Sequence, residues 1–424
     1  MRDELRRRVP GRYWIWTGAA SCAALGTQVA IFGLSWSAAE RSPALAGGVL
    51  ATAIAPRVAL ALLGGAAADR WGPLRTVVVS GVAAGVLALG GALFGLALSD
   101  PTWLLFAVAL GLGIVTAFQL PASGALPRLL VPATALPRAL AASQVTLQAT
   151  TVLAAPLGGL AVGVLGLRGS LLLLAGAALT AVLLVWPLRH RVRQAPTEYA
   201  GSSHLRLIGD GLRLVARQRV IRDVVVLLVA VAGFLLPVGS LLVPLLAREH
   251  GWRPEVAGAT AAGLAVGSAA VSLWVLVFGG LPRPGFAIAG GLALAATGLA
   301  ALSVSTGRLA ALACVGLVGV GNGLFASHAA PLVLGTAPKT HVARVQAILM
   351  VAQSLPLLAS SNLIGLVAEI GSARGATLLC AGGTALAAIQ AVRSPAIRRS
   401  GPEPASGSDS WGVPVARSPL LRRH

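Results

Sequence analysis

One pattern, repeated along the whole chain, constrains the fold more than any other feature. A run of about 20 apolar residues gives way to a short polar interruption, and another run follows. The runs fall at 13–36, 45–68, 74–98, 102–121, 139–165 and 168–188, then at 222–246, 255–279, 284–304, 308–330, 342–369 and 374–392. Each is long enough to cross the hydrocarbon core of a bilayer as a helix. No water is available there, so backbone N–H and C=O groups must be satisfied within a helix or a closed barrel. The runs are rich in Ala, Gly and Leu and lack period-two alternation, which selects helices.

Twelve spans and their loops consume the 424 residues and leave no sizeable soluble domain. Charged residues are only 11% of the chain, against about 25% in a soluble domain. The expected fold is an all-α integral membrane protein of twelve transmembrane helices in two six-helix halves, 1–188 and 223–392. Between them lies a central loop, 189–222. A tail, 393–424, is rich in Ser, Pro, Gly and Arg and is expected to be disordered.

The net charge of +20 would suggest nucleic acid in a soluble protein, but no aromatic-rich basic motif accompanies it. Its distribution points to a membrane instead. Twenty-six of the 33 Lys and Arg residues fall in the segments on the same side of the membrane as the N-terminus, six in the loops on the other side, and Arg57 lies inside a span. By the positive-inside rule both termini and the central loop are cytoplasmic, in the inner (plasma) membrane. In the central loop, Leu205, Ile208, Leu212, Val215 and Val220 recur near helical spacing with arginines between them. That pattern predicts an amphipathic helix on the anionic leaflet of the lipid bilayer. The first run, Tyr13 to Trp36, is too long for a cleaved signal peptide and reads as a retained span. Cys22, Cys314 and Cys380 all lie in apolar runs and read as small packing residues.

The stretch Gly64 to Thr76, GGAAADRWGPLRT, leaves one span and enters the next. Gly64 and Gly65 permit close helix contact, Asp69 and Arg70 mark the water boundary, and Gly72-Pro73 makes the turn. Asp69 lies at the C-terminal end of its own helix, where the macrodipole repels an anion. It needs a compensating partner: Arg70, Arg75 or the N-terminus of another helix.

This stretch resembles the signature loop of the major facilitator superfamily, Gly-x-x-x-Asp-Arg/Lys-x-Gly-Arg-Arg/Lys. Gly65, Asp69, Arg70 and Gly72 match; Pro73 and Leu74 depart from it, and the last basic residue is shifted to Arg75. In span 5, Ala155-Pro156-Leu157-Gly158-Gly159 resembles the antiporter core Gly-Pro-x-x-Gly-Gly, one residue shorter and with Ala155 in place of the first glycine. A kinked helix with a face of small residues at Pro156, Gly158 and Gly159 could act as a gate. Pro56-Arg57 followed by GGxxADR looks like the branch that contains siderophore and macrolide exporters. The halves also repeat weakly: a shift of 206 aligns Gly113 with Gly319, Arg138 with Arg344, Ala141 with Ala347 and Gly159 with Gly365.

The resemblance implies a monomeric secondary transporter that rocks two halves around a midplane site, with Asp69 facing the start of span 11 near residues 340–343. It implies export of a small organic molecule, such as a drug, siderophore or secondary metabolite, as the small-molecule substrate. No cofactor, metal or catalytic residue is expected. In the resembled fold spans 1, 4, 7 and 10 line the cavity, which singles out Gln28, Gln119 and Asn322, with Arg57 added as the charge at mid-span. Each polar residue could instead bond a neighbouring helix. Thr27, Thr116, Gln144, Thr146, Gln148, Gln353 and Asn362 are in the same position. His328, near the inner end of span 10, reads as a solvated interfacial histidine. No Asp or Glu sits at the middle of a span, which leaves a coupling proton open.

Arg57 has two readings. It could donate to carbonyls freed by Pro56 and brace a kink, or reach a watery cavity and attract an anionic or carbonyl-rich substrate. An uptake permease or a non-transporting receptor of the same fold would share these features. An intramembrane enzyme would need paired carboxylates, a metal cluster or a serine with a base, and none is visible. A primary pump would need Gly-Lys-Ser/Thr, whereas Lys339-Thr340 follows Ala-Pro.

Overall fold

The computed structural model describes residues 9–97, 102–132, 134–190, 218–336 and 342–398, and every regular element among them is helical. Eleven helices are long and apolar enough to cross a membrane, and one bent pair makes a twelfth span. In chain order they are α1 (Gly11–Ala39), α2a (Pro43–Ala59) with α2b (Ala61–Trp71), α3 (Pro73–Ala97), α4 (Thr102–Leu130), α5 (Leu136–Leu165) and α6 (Leu167–Val185). The second set is α7a (Arg219–Phe234), a π turn (Val238–Leu242) and α7b (Val243–Glu249), then α8 (Pro254–Phe278) and α9 (Pro284–Val304). The last are α10 (Arg308–Thr336), α11 (Val342–Ile370), α12 (Ala373–Arg393) and the short α13 (Pro395–Arg398). The predicted amphipathic helix and the tail lie outside the described residues, except that Arg219 and Val220 already belong to α7a, Arg393 ends α12, and Ser394 links it to α13.

Several spans run past their apolar cores. Hydropathy ends the fourth at 121, but the helix continues to Leu130, through Pro121 and Pro127. Hydropathy marks the lipid-embedded part only, whereas a helix can extend into the interface. The second span differs more: its two segments meet at 56°. Pro56 has no N–H to give Thr52, which loosens the turn before it. The backbone then departs from helix at Leu60 (φ −102°, ψ 1°).

Helix starts follow local chemistry. Pro43, Pro254 and Pro284 open their helices, where a missing N–H costs nothing. The Ser42 and Ser372 hydroxyls accept from Leu45 N (3.2 Å) and Gly375 N (3.0 Å). Gly72 ends α2b at φ +88°, a conformation that favours glycine, and Pro73 starts α3 directly after it. That is the turn the sequence predicts.

Packing separates the helices into two matching sets. In the first, α2 packs on α4, α3 on α4 and α6, and α1 on α5 and α6. In the second, α8 packs on α10, α9 on α10 and α12, and α7 on α11 and α12. Two main crossings join the sets, α2a with α11 and α5 with α8, and a twofold swap of the halves would exchange them. The register agrees residue by residue. A shift of 211 carries Pro43 and Gly47 of α2a onto Pro254 and Gly258 of α8; the shift of 206 carries Ala155 and Gly159 of α5 onto Ser361 and Gly365 of α11.

Both crossings are backbone to backbone. A Cβ on Gly365 would lie 2.8 Å from the Pro43 carbonyl oxygen, and one on Gly159 would lie 2.5 Å from that of Pro254. Gly47 faces Ser361 O and Gly258 faces Ala155 O in the same way. Small residues let helices approach this closely where lipid gives no hydrophobic drive. Both crossings lie at the end remote from Gly11 and Arg393, and there the halves are pressed together.

Candidate functional site

Below the crossings, toward the end that carries Gly11 and Arg393, the first half encloses a cavity of about 340 Å³. That is near the lower end for small-molecule pockets. It reaches from Ile31 and Leu50, about 10 Å beyond Arg57 toward the crossings, down to Trp16 and Val185, and apolar groups form most of its wall. The polar exceptions are few: Thr27 and Gln28 from α1, Arg57 from α2a, Thr116, Gln119 and Ser123 from α4, and Thr150 and Thr151 from α5. No Asp or Glu lines it among the described residues.

Arg57 lies fourteen residues from Pro43 and fourteen from Trp71, the two ends of its span. At 1.5 Å per residue that is about 21 Å of helix on either side. Its Nε is buried and has no hydrogen-bond partner, and among the described residues nothing pairs with its charge. In particular it donates to none of the carbonyls near Pro56. The hydroxyl of Thr52 bonds the Gly48 carbonyl (2.8 Å), and Leu60 N closes on Pro56 O (2.8 Å) without it. The brace reading finds no hydrogen bond here; the cavity reading finds the guanidinium in the wall.

Three of the four cavity candidates therefore meet: Gln28, Arg57 and Gln119 line one space. Asn322 does not join them. It lies in the α8–α10 contact, where its Nδ2 donates to Ser268 Oγ (3.3 Å) and that hydroxyl donates to Gly319 O (2.9 Å). Gln144 and Gln148 of α5 are not in the wall; Thr150 and Thr151, further along the helix, are. Sequence does not single out Trp16, because a cavity-facing and a lipid-facing tryptophan look alike in an apolar run.

His328 departs from the sequence reading. It is buried: its Nε2 accepts from Leu281 N (2.9 Å) and its Nδ1 lies 2.9 Å from Leu324 O. The segment after α8 folds back over α10 and takes the place of water. With both nitrogens engaged, the histidine acts as a fixed tie between α10 and the α8–α9 turn.

At the signature loop, Gly64 is pressed against the Ala117 carbonyl of α4, whereas a side chain at Gly65 would meet open space. Close contact is thus a property of the first glycine alone. Asp69, Arg70 and Arg75 are exposed, and Asp69 has no partner among the described residues. Of the segment expected opposite it, residues 340 and 341 lie outside the described residues. In α5, Pro156 is inside the helix, Gly158 rests against Phe32 of α1, and Gly159 forms the crossing with α8.

The remote end carries polar closure that sequence does not reveal. Glu40 pairs with Arg248 of the other half (3.3 Å), whose guanidinium stacks over Trp36, and Trp36 Nε1 also donates to Glu40 (3.0 Å). Glu369 of α11 accepts from Ala44 N at the start of α2a (3.2 Å), a carboxylate at a helix N-terminus. The Ser35 hydroxyl donates to the Ser240 carbonyl across the same junction. Among the described residues no group of His, Cys, Asp and Glu could hold a metal ion.

Residues 17–361 match the model of the Major Facilitator Superfamily. The chain belongs to this family. Solved transporters share its fold at low identity. A crystal structure of a D-xylose–proton symporter has a TM-score of 0.71 at 14% identity, covering 91% of this chain and 98% of its own. The nucleoside transporter NupG, in a mutant form, gives 0.68 at 13% identity, covering 90% and 98%. The inward-open xylose transporter XylE from E. coli gives 0.67 at 14% identity, covering 90% and 95%. No curated protein sequence matches the chain. Family membership makes this a multi-pass transporter-type protein that acts on small molecules, and it gives the twelve-span reading its architecture.

Proposed function

We propose that the chain is a secondary active transporter that exports a small organic molecule by alternating access. It would work as a monomer in the plasma membrane, with both termini in the cytoplasm. The supporting observation is the opposition of its two ends. The halves touch through two pseudo-symmetric glycine crossings at one end, while a cavity extends toward the other. With the arginine-rich termini inside, this is the inward-open state, ready to receive a cytoplasmic substrate.

Export by the siderophore and macrolide branch is favoured by two features. Arg57, next to Pro56, lines the cavity, and Gly159 of the Pro156–Gly159 segment forms one of the two crossings that must part for release. Asp69, unpartnered among the described residues in this state, is available to latch the cytoplasmic ends when the cavity turns outward. The test is efflux and counterflow in proteoliposomes with candidate drugs and siderophores. Uphill efflux that needs an opposing ion gradient supports an exporter; net flux that only runs down the substrate's own gradient, together with counterflow, would assign a uniporter, and the absence of both would leave a receptor.

A further inference from the structure

Comparing the two halves position by position isolates Arg57. The shift of 211 that superimposes the crossings carries Ala53 onto Leu264 and Arg57 onto Ser268; the shift of 206 carries Gly113 onto Gly319 and Thr116 onto Asn322. The contacts obey this mapping, since Gly113 abuts Ala53 O and Gly319 abuts Leu264 O. In the second half the two polar residues of the pair satisfy one another: Asn322 donates to Ser268, and Ser268 donates to Gly319 O. In the first half the same place holds Arg57 and Thr116. Thr116 bonds its own helix, at Leu112 O (2.8 Å), and Arg57 bonds nothing among the described residues. One half consumes its polar pair in packing, and the other presents a cation to a cavity whose described wall has no acid.

A bare arginine at mid-bilayer depth is costly even on the lenient insertion scales. Nothing in the wall offsets that cost. The missing complement is an anion, and its shape can be read from the surroundings. The guanidinium fork matches a planar carboxylate bidentately. Gln28 and Gln119 can bond further oxygens through their amide N–H groups, whereas the Thr27 hydroxyl already donates to Ala23 O (2.9 Å); Trp16, Ile31 and Leu50 leave the rest of the space apolar.

We propose that this cavity binds amphipathic organic anions, with a carboxylate or similar oxyanion on Arg57 and a ring-sized apolar body against the apolar wall beside it, at Ile54 and Leu112. The inference rests on the inward-open transporter reading and gives that site its substrate class. A free metabolite and the headgroup of an anionic lipid share this chemistry.

The test uses full-length protein in phosphatidylcholine vesicles with Cys22, Cys314 and Cys380 replaced by alanine and with Thr27→Cys as reporter. The rate of labelling by an anionic methanethiosulfonate (sulfonatoethyl) is compared with that by a cationic one (trimethylammonioethyl). A free Arg57 charge should favour the anionic reagent by roughly tenfold relative to Arg57→Gln, and Arg57→Lys should keep most of that preference. Added 2-naphthoate should protect the cysteine, while 2-naphthamide should not. Protection on adding phosphatidylglycerol alone would assign the same chemistry to a lipid source. Equal rates with both reagents, unchanged by Arg57→Gln, would overturn the anion site while leaving the transporter reading intact. No labelling by either reagent would overturn the open cavity itself, and the anion site with it.

Discussion

The two halves share a scaffold and differ in what they do with it. α2 and α8 begin alike, with proline at the first position and glycine four residues on, and both glycines meet the opposite half. Fourteen residues in, they diverge. α8 continues unbroken to Phe278, and Gly263, Gly267, Gly319 and Gly323 bring it against the backbone of α10. α2 carries Pro56-Arg57, breaks at Leu60 and bends by 56°, and the cavity lies beside that break. Symmetry is kept where the halves meet, and lost around the cavity of the first half. A transporter needs matched gates, but one half can supply the charged group of its site.

The largest expected effect falls on the shared part. Gly47→Leu and Gly258→Leu should each abolish the closed outer end, because a side chain at either position meets a backbone oxygen that cannot retreat. Labelling of an Ile31→Cys reporter by a membrane-impermeant maleimide should then become possible from outside. Equal responses from the two variants would sharpen the symmetry, and a response from only one would break it.

Next comes the part that differs. Arg57→Gln should lower transport by about tenfold or more at fixed substrate, since the whole attraction of the site is removed. Its counterpart, Ser268→Ala, removes two interhelical hydrogen bonds, from Asn322 and to Gly319 O. At about 0.6 kcal/mol each it should cost roughly 1 kcal/mol in stability and little transport. Transport lost equally in both would mean that the halves share the site.

Asp69→Asn should be milder. A carboxylate near a helix N-terminus contributes about 0.3–1 kcal/mol, enough to shift the two-state balance severalfold. Transport should fall accordingly with membrane expression unchanged, and wild-type rates would contradict a latch. Smallest of all is Glu40→Gln. Its pair with Arg248 is part-exposed, so the loss should stay below about 1 kcal/mol and shrink further as salt is raised.

Much of this was legible in the sequence because lipid imposes simple rules. Length and apolarity define the spans, and charge asymmetry gives a sidedness. A cation in the middle of an apolar run has to be paired, braced or functional, which singles out Arg57. The turn at Gly72-Pro73 is equally plain. What sequence cannot separate is satisfied from unsatisfied polar groups. Asn322 and Gln119 look alike on their helices, but one meets Ser268 and the other meets a cavity, and only the partner helix decides. His328 looks solvated because nothing local shows that Leu281 folds over it. The crossings do leave a trace, the proline–glycine spacing at Pro43–Gly47 and Pro254–Gly258, which becomes visible once the halves are aligned on helix starts. The Glu40–Arg248 pair, 208 residues apart, leaves none.

Alternating access is tested most directly by measuring the two ends together. Spin labels on Arg41 and Gly371 report the remote end, and labels on Trp71 and Arg283 report the end near the termini; all four positions are exposed. Pulsed dipolar spectroscopy on protein in nanodiscs should find the first pair close and the second far apart. Introducing Gly258→Leu should lengthen the first distance and shorten the second in the same sample. Both distances lengthening together, or the second staying fixed while the first opens, would contradict a rocking exchange between two states.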